Sequence, residues 1–324
     1  MTLTREYRAA ANLEGPFPAT SEDITELNAV FSDAFTDRYR RDGLLGVRVP
    51  PLNPAIWRYA VQDAGEGALV WRNTRGEIVA FNMVHLSGTE GWMGPLAVRP
   101  DWQGNGVGKV VVRTGIEWLK ARGARVIGLE TMPRTVDNIG FYSTLGFVPG
   151  HLTLTVWLPA APGDEPVVML SELDSAQRER AFDRCRDLTE EQLPGYDFGR
   201  EIELTAALGL GDTLLLVEGD ELRGFALFHS VPLVEGRGRE ELRVLKLVLR
   251  HENDVEAMAR ALAVAALRDG TKSVAVRVQT AYRDSYQRLL RIGARVRWSD
   301  LRMTIPEHSE VRATSGVVFS NWEI

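Results

Sequence analysis

Apolar residues recur at helical spacing near the start of the chain. Thr20 and Asp23 resemble a capping box, in which a hydroxyl and a carboxylate three residues apart satisfy the first amides of a helix. The apolar positions that follow predict one face of that helix: Ile24, Leu27, Val30, Phe31 and Phe35. The prolines near residue 50 favour extended backbone, and a second helix is predicted over 54–63.

The pattern then changes to short apolar runs bounded by turn residues, which is typical of strands. Three strands are predicted at 68–72, 77–86 and 92–98, the first two joined by a hairpin turn. A helix follows from Val107 and is predicted to end at Gly123, a residue suited to a left-handed cap. A buried strand, a short helix and a last strand complete the first half: 125–131, 138–144 and 152–158.

The same order of elements returns after a proline-rich segment that is typical of a linker. Two glycine pairs define the spacing, because Gly123 and Gly270 are 147 residues apart, as are Gly146 and Gly293. An internal repeat of one whole domain is the simplest interpretation. The predicted division is a domain at 1–160, a linker at 159–166 and a second domain at 167–324.

Composition mainly excludes classes of function. The net charge of −6 argues against a nucleic-acid partner, which requires a basic surface. The single cysteine, Cys185, cannot form an intramolecular disulfide, which favours a cytoplasmic setting, and its charged helical surroundings make it a poor nucleophile. The five histidines show no metal-ligand spacing, so no metal is expected. No apolar run could span a membrane or serve as a signal peptide.

Residues 103–108, with the sequence Gln-Gly-Asn-Gly-Val-Gly, carry the main candidate chemistry. They lie between an apolar strand and a helix. Glycines let the backbone turn tightly and approach a ligand closely. The first amides of a helix have no partner inside it, and the helix dipole adds positive charge there. The segment therefore predicts a site for an anion such as phosphate or pyrophosphate.

Two separated motifs resemble those of the GNAT superfamily of N-acetyltransferases. The first motif is Gln/Arg-x-x-Gly-x-Gly/Ala, and the second is an asparagine, an aromatic-tyrosine pair and Leu-Gly-Phe. The matching residues are Gln103, Gly106 and Gly108 in the first, and Asn138, Phe141, Tyr142, Leu145, Gly146 and Phe147 in the second. The resemblance covers residues 18–158. It implies an α+β fold of the three-layer type, with two tandem domains that each have a mixed, mostly antiparallel sheet flanked by helices.

The resemblance implies acetyl-CoA, or another acyl-CoA, as the donor. The amides of residues 104–109 would hold its pyrophosphate, and the strand before them would pair with the pantetheine arm as an added strand does. One of those strand amides would also polarise the thioester carbonyl. The expected donor-binding residues are Leu96, Ala97, Val98, Gln103, Gly104, Asn105, Gly106, Val107, Gly108, Lys109, Asn138 and Tyr142.

Acyl transfer to an amine needs a base for the ammonium and an acid for the leaving thiolate. Tyr142 matches the family's acid, and Glu130 lies where some members that acetylate protein N-termini carry a glutamate base. A glutamate that faces solvent at a strand end is the alternative interpretation of Glu130. His85 and Glu90 are other candidate bases. Trp92 occupies the place of a glutamate base used by further members, so a water chain is also open.

The second half provides an internal comparison. The 147-residue offset aligns residues 103–108 with 250–255, where all three glycines are replaced and Glu252 and Asp254 stand near the expected pyrophosphate position. The other aligned pairs are Glu130 with Arg277 and Tyr142 with Leu289. The second domain is therefore expected to be a degenerate copy that keeps the fold and does not bind CoA.

The leading interpretation is an acetyl-CoA-dependent N-acetyltransferase that transfers an acyl group to a primary amine. Tandem relatives that modify drugs make a small-molecule amine the first expectation, and a protein N-terminus or lysine is the alternative. A non-catalytic CoA-binding sensor or interaction module is the alternative of another class, which Tyr142 and Glu130 disfavour. The expected assembly is a monomer whose two domains form a pseudo-dimer, or a homodimer.

Overall fold

The computed structural model describes residues 12–313 and 315–323, so the first eleven residues of the predicted first domain lie outside the described residues. The described helices are α1 (Ile24–Arg41), α2 (Pro54–Ala64), α3 (Val107–Ala121), α4 (Val136–Ser143), α5 (Ser175–Gln192), α6 (Gly199–Ala207), α7 (Val255–Arg268) and α8 (Arg283–Arg291). The described strands are β1 (Leu13–Pro18), β2 (Ala68–Asn73), β3 (Ile78–Ser87), β4 (Glu90–Val98), β5 (Val126–Thr131), β6 (Val148–Pro159), β7 (Val168–Met169), β8 (Gly211–Glu218), β9 (Glu221–His229), β10 (Glu241–Leu249), β11 (Ser273–Gln279), β12 (Arg295–Thr304) and β13 (Val317–Ser320).

The ends of several helices confirm the sequence-based predictions. Thr20 and Asp23 form the predicted capping box ahead of α1. The helix-ending glycines adopt left-handed backbone in matched pairs, because φ is 76° at both Gly123 and Gly270 and 95° at both Gly146 and Gly293. Residues with side chains rarely adopt such angles, so each glycine is required locally. The match supports the internal repeat.

All thirteen described strands belong to one mixed sheet, which confirms the α+β class. The order is β1-β2-β3-β4-β5-β12-β6-β11-β10-β9-β8-β7, and β13 pairs with β10. The pairs β4–β5 and β10–β11 are parallel. The remaining pairs are antiparallel.

The two halves exchange their long final strands at the centre of this sheet. Strand β12, from the second half, lies between β5 and β6, while β6, from the first half, lies beside β11. Glu130 of β5 pairs with Arg302 of β12. The residues equivalent to these two by the 147-residue offset are Arg277 of β11 and Thr155 of β6, and they pair in the same way. The sheet is therefore pseudo-symmetric, and it continues across the predicted boundary at residue 160.

Helices cover both faces of the sheet. On one face, α1, α2, α5 and α6 bury a cluster that includes Trp57, Phe81 and Phe225. On the other face, α3 and α4 pack in one cluster and α7 and α8 in a second. Each fully buried side chain of this size contributes about 1.5–3 kcal/mol. Among the described residues, no helix combines the length and apolar character needed to cross a membrane.

Candidate active site

A cleft opens in the first half where β4 and β5 separate. The two strands pair only as far as Met93 and Leu129. Beyond that point β4 stays paired with β3 up to Val98, while β5 stays paired with β12. Leu96 and Val98, which are both partly exposed, therefore border the gap, and Ala97 between them is buried. An extended ligand arm can pair with such a strand edge.

The glycine loop lies at the mouth of this cleft. The side-chain amide of Gln103 donates a 2.9 Å hydrogen bond to the carbonyl of Val98, which ties the loop to β4. Gly104 and Gly106 have φ values of 74° and 83°, so both turns depend on glycine. No side chain caps the start of α3. The amide of Lys109 donates to the Gly106 carbonyl, and the amides before it are those that a helix start leaves without an intrahelical acceptor. Of the other predicted loop residues, Asn105 lies between the two glycines, and the first turn of α3 contains Val107, Gly108 and Lys109.

Helix α4 brings the second motif to the end of β5. The Asn138 amide nitrogen lies 3.5 Å from the hydroxyl of Thr131, the last residue of β5. Tyr142, one turn further along α4, is buried against Phe147. Burial raises the pKa of Tyr142 to about 12, so its phenol stays protonated at neutral pH. The group can therefore act as a proton donor.

The surroundings of Glu130 argue against its assignment as the base. Its carboxylate forms ion pairs with Arg277 and Arg302, and accepts a 2.5 Å hydrogen bond from the Thr153 hydroxyl. Burial opposes ionisation, but the two guanidinium groups outweigh burial and lower the pKa of Glu130 to about 2. Such a carboxylate is a weak base whose oxygens are already engaged. The alternative interpretation, a glutamate that faces solvent at a strand end, does not fit either, because the Glu130 side chain is buried.

The two alternative bases are buried and engaged as well. The His85 ring nitrogens lie 2.5 Å from an Asp63 carboxylate oxygen and 3.0 Å from the Gly94 carbonyl oxygen. Its ring stacks on Trp92 at 3.9 Å between centroids. The Glu90 carboxylate is fully buried and accepts hydrogen bonds from Ser320, the last residue of β13, and from Trp322 in the tail that follows. Neither group is accessible to an acceptor amine.

The C-terminal segment reaches the first half, which the sequence analysis missed. After β13, the Trp322 indole donates a 2.8 Å hydrogen bond to Glu90 and its ring packs where a side chain at Gly128 would lie. Glu323 then forms a 2.8 Å ion pair with Arg277. The apolar run 317–319 was the one available signal for the strand, and nothing local indicated its destination.

The corresponding cleft of the second half is occupied by the chain itself. Strands β10 and β11 pair only as far as Arg243 and Ala275, after which β13 pairs with β10. At the start of α7, Asp254 binds Arg223, and Glu252 accepts hydrogen bonds from Ser285. These contacts support the expectation that the second half does not bind CoA, which stays a prediction.

Comparison with known proteins finds a family match within the first half of the chain. Residues 29–147 match the family model described as the acetyltransferase (GNAT) family. Over 110 residues the chain is 27% identical to [ribosomal protein bS18]-alanine N-acetyltransferase of Escherichia coli K12, covering 34% of this chain and 74% of that protein. The match to the GNAT acetyltransferase family thus covers residues 29–147, and this segment contains both motifs.

Solved structures show that the fold extends over the whole chain. A provisionally named acetyltransferase from Pyrococcus horikoshii has a TM-score of 0.66 at 18% identity, covering 96% of this chain and 95% of that chain. A GCN5-related N-acetyltransferase from Sphaerobacter thermophilus has a TM-score of 0.58 at 13% identity, with complete coverage of both chains. At these identities the likeness shows the fold alone.

Proposed function

We propose that the first half uses acetyl-CoA to acylate the primary amine of a small molecule. The separation of β4 and β5 directly before the glycine loop carries this proposal. The loop amides would bind the pyrophosphate, and the edge of β4 at Leu96 would pair with the pantetheine arm. The acyl thioester would then lie where the two strands part, near Tyr142.

The acceptor would approach from the opposite face of the sheet. Adjacent strand residues point to opposite faces, and Leu129 packs with α3 and α4 while Glu130 points the other way. Carboxylate oxygens of Glu130, Asp300 and Glu323 lie within 4.8 Å of one another on that side. Negative charge there favours a cationic amine. On the donor side of the sheet, Tyr142 would protonate the leaving thiolate.

Thiol release from acetyl-CoA tests this function. A panel of small primary amines should include acceptors that release CoA, and Tyr142→Phe should slow their turnover far more than it weakens CoA binding. The variant removes only the proton donor, so binding measured by calorimetry serves as the control. Tight CoA binding without turnover for any acceptor would instead favour the sensor interpretation. Equal loss of binding and turnover in Tyr142→Phe would exclude the acid role.

A protein N-terminal amine is the second candidate acceptor. The similarity to an enzyme named for the alanine of a ribosomal protein favours it. The occupied Glu130 carboxylate weighs against it, because that residue carried the resemblance to N-terminal acetyltransferases. Peptides that begin with alanine belong in the same assay, with the same peptides blocked at the N-terminus as controls. Turnover confined to the free peptides would establish this candidate.

A further inference from the structure

The C-terminal tail delivers a carboxylate to the acceptor side of the cleft. Trp322 fixes the tail, because its ring lies against Gly128 of β5 and its indole nitrogen is bonded to Glu90 of β4. The next residue, Glu323, is oriented by a bond from its own amide to the Asn321 side chain. Its carboxylate lies within 4.8 Å of that of Glu130, the residue that the family resemblance suggested as a base.

Glu323 differs from Glu130 in its exposure and in its partners. About half of the Glu323 side chain is exposed, whereas that of Glu130 is almost fully buried. Glu130 is held by two guanidinium groups. Among the described residues, the Glu323 carboxylate forms an ion pair with Arg277, which also binds Glu130 and Asp300. Three carboxylates thus share the Arg277 guanidinium. Glu323 is the member of the cluster that an amine can reach.

Charged and titratable groups from several elements surround Glu323 among the described residues. They include Arg277 of β11, Asp300 of β12, Glu130 of β5, Arg243 of β10 and Tyr39 of α1. Partial burial raises the pKa of Glu323, Arg277 lowers it, and the neighbouring Asp300 and Glu130 raise it again, to about 7. A general base works best when its pKa lies near the working pH.

We propose that Glu323 is the general base of the first-half site, supplied by the tail that follows β13. The inference rests on the proposed acyl transfer to an amine. The Glu323 carboxylate takes one proton from the acceptor ammonium, and the freed lone pair forms the C–N bond at the thioester carbonyl. Collapse of the tetrahedral species breaks the C–S bond. The thiolate takes a proton from Tyr142, which regains one from the nitrogen through solvent, and Glu323 releases its proton to water.

A titration that needs no turnover provides the first test. In the full chain labelled with ¹³C at the glutamate side-chain carboxyl, one resonance that titrates near pH 7 should disappear in Glu323→Gln. The exposed Glu307→Gln variant is the matched control and should leave that resonance in place. If Glu323→Gln removes no resonance that titrates between pH 6 and 8, the proposal is wrong. This result would not depend on whether the protein is an acetyltransferase.

Kinetics with the best amine from the thiol-release panel provide the second test. Glu323→Gln should lower kcat about 100- to 10,000-fold, the usual contribution of a general base, and should abolish the rise of kcat/KM near pH 7. CoA affinity should stay within twofold, and Glu323→Asp should restore part of the rate. Unchanged turnover in Glu323→Gln would refute the base role of Glu323 and leave the proposed acyl transfer intact. Absence of turnover in the unaltered chain would refute the proposed function, and the base role with it.

Discussion

Glu130 and Arg277 show how two aligned residues acquire different roles. They are 147 residues apart, the offset of the internal repeat, and they are bonded to each other at the centre of the sheet. Residues related by a two-fold axis meet when they lie close to that axis. The two positions that the offset aligns are therefore in direct contact. Glu130 is a structural partner of Arg277, the residue at the equivalent position in the second half.

Replacing Glu130 tests this structural role. Glu130→Gln leaves Arg277 and Arg302 buried with a missing partner, and breaking a buried pair in this way costs about 3–5 kcal/mol. The free energy of unfolding in urea should fall by that amount, while Glu307→Gln should change it little. A variant of unchanged stability that loses only turnover would restore Glu130 as a base.

The same ion pairs predict how the chain responds to acid. The pKa of Glu130 is lowered from 4.5 to about 2, so its contribution to stability is complete above pH 4.5 and is lost as the pH falls towards 2. Urea unfolding measured between pH 6 and 2 should therefore show a loss in the unaltered chain that is smaller in Glu130→Gln. Identical pH dependence in both proteins would contradict the assignment.

At the scale of elements, β13 and the residues after it connect the two halves. The strand fills the cleft of the second half, and Trp322 and Glu323 continue to the cleft of the first. Gly128 makes this path possible, because a Cβ there would lie 2.3 Å from the Trp322 ring. The position of the tail thus depends on the absence of one side chain.

Gly128→Ala should displace the tail. The added methyl group overlaps the indole, and such overpacking costs about 1–3 kcal/mol. Turnover should fall together with the thermal midpoint, because Glu323 moves with Trp322. Gly238→Ala, which adds a methyl group in open space, is the matched control. Normal turnover and stability in Gly128→Ala would show that the tail position is not required.

The filled second cleft also predicts the binding stoichiometry. Since β13 pairs with β10 where a pantetheine arm would have to pair, each chain should bind one CoA. Isothermal titration with CoA measures this directly, and Gly106→Val, which changes a left-handed glycine of the loop, should abolish the single site. Two equivalent sites per chain would refute the degenerate second copy.

At the scale of the whole molecule, the sequence predicted most elements but not their assembly. The Thr20 cap and the glycine caps are local, so their residues specify them. The exchange of β6 and β12 depends on whether β6 or β12 pairs with β5. Because the internal repeat makes these two strands similar, the sequence does not distinguish between them. The proposed donor site was suggested by the two motifs and stays a prediction. Glu323 was not suggested by the sequence, since its neighbours are assembled from β5, β11 and β12.

The exchange predicts that the two halves do not fold alone. Residues 1–160 without β12 leave the edge of β5 open and β6 without either of its neighbours. That fragment should be aggregated or unfolded by circular dichroism, and coexpression with residues 161–324 should rescue it. A fragment 1–160 that folds and binds CoA by itself would confirm instead the independent domain predicted at first.

The interleaved strands also have a consequence for dilution. Two separate copies that exchanged strands would fall apart at low concentration, and any site built from both would disappear with them. Joined in one chain, the halves meet at an effective concentration set by the connecting segment rather than by the amount of protein present. Specific activity should consequently stay constant from micromolar to picomolar protein, even though Glu323 and the glycine loop come from opposite halves.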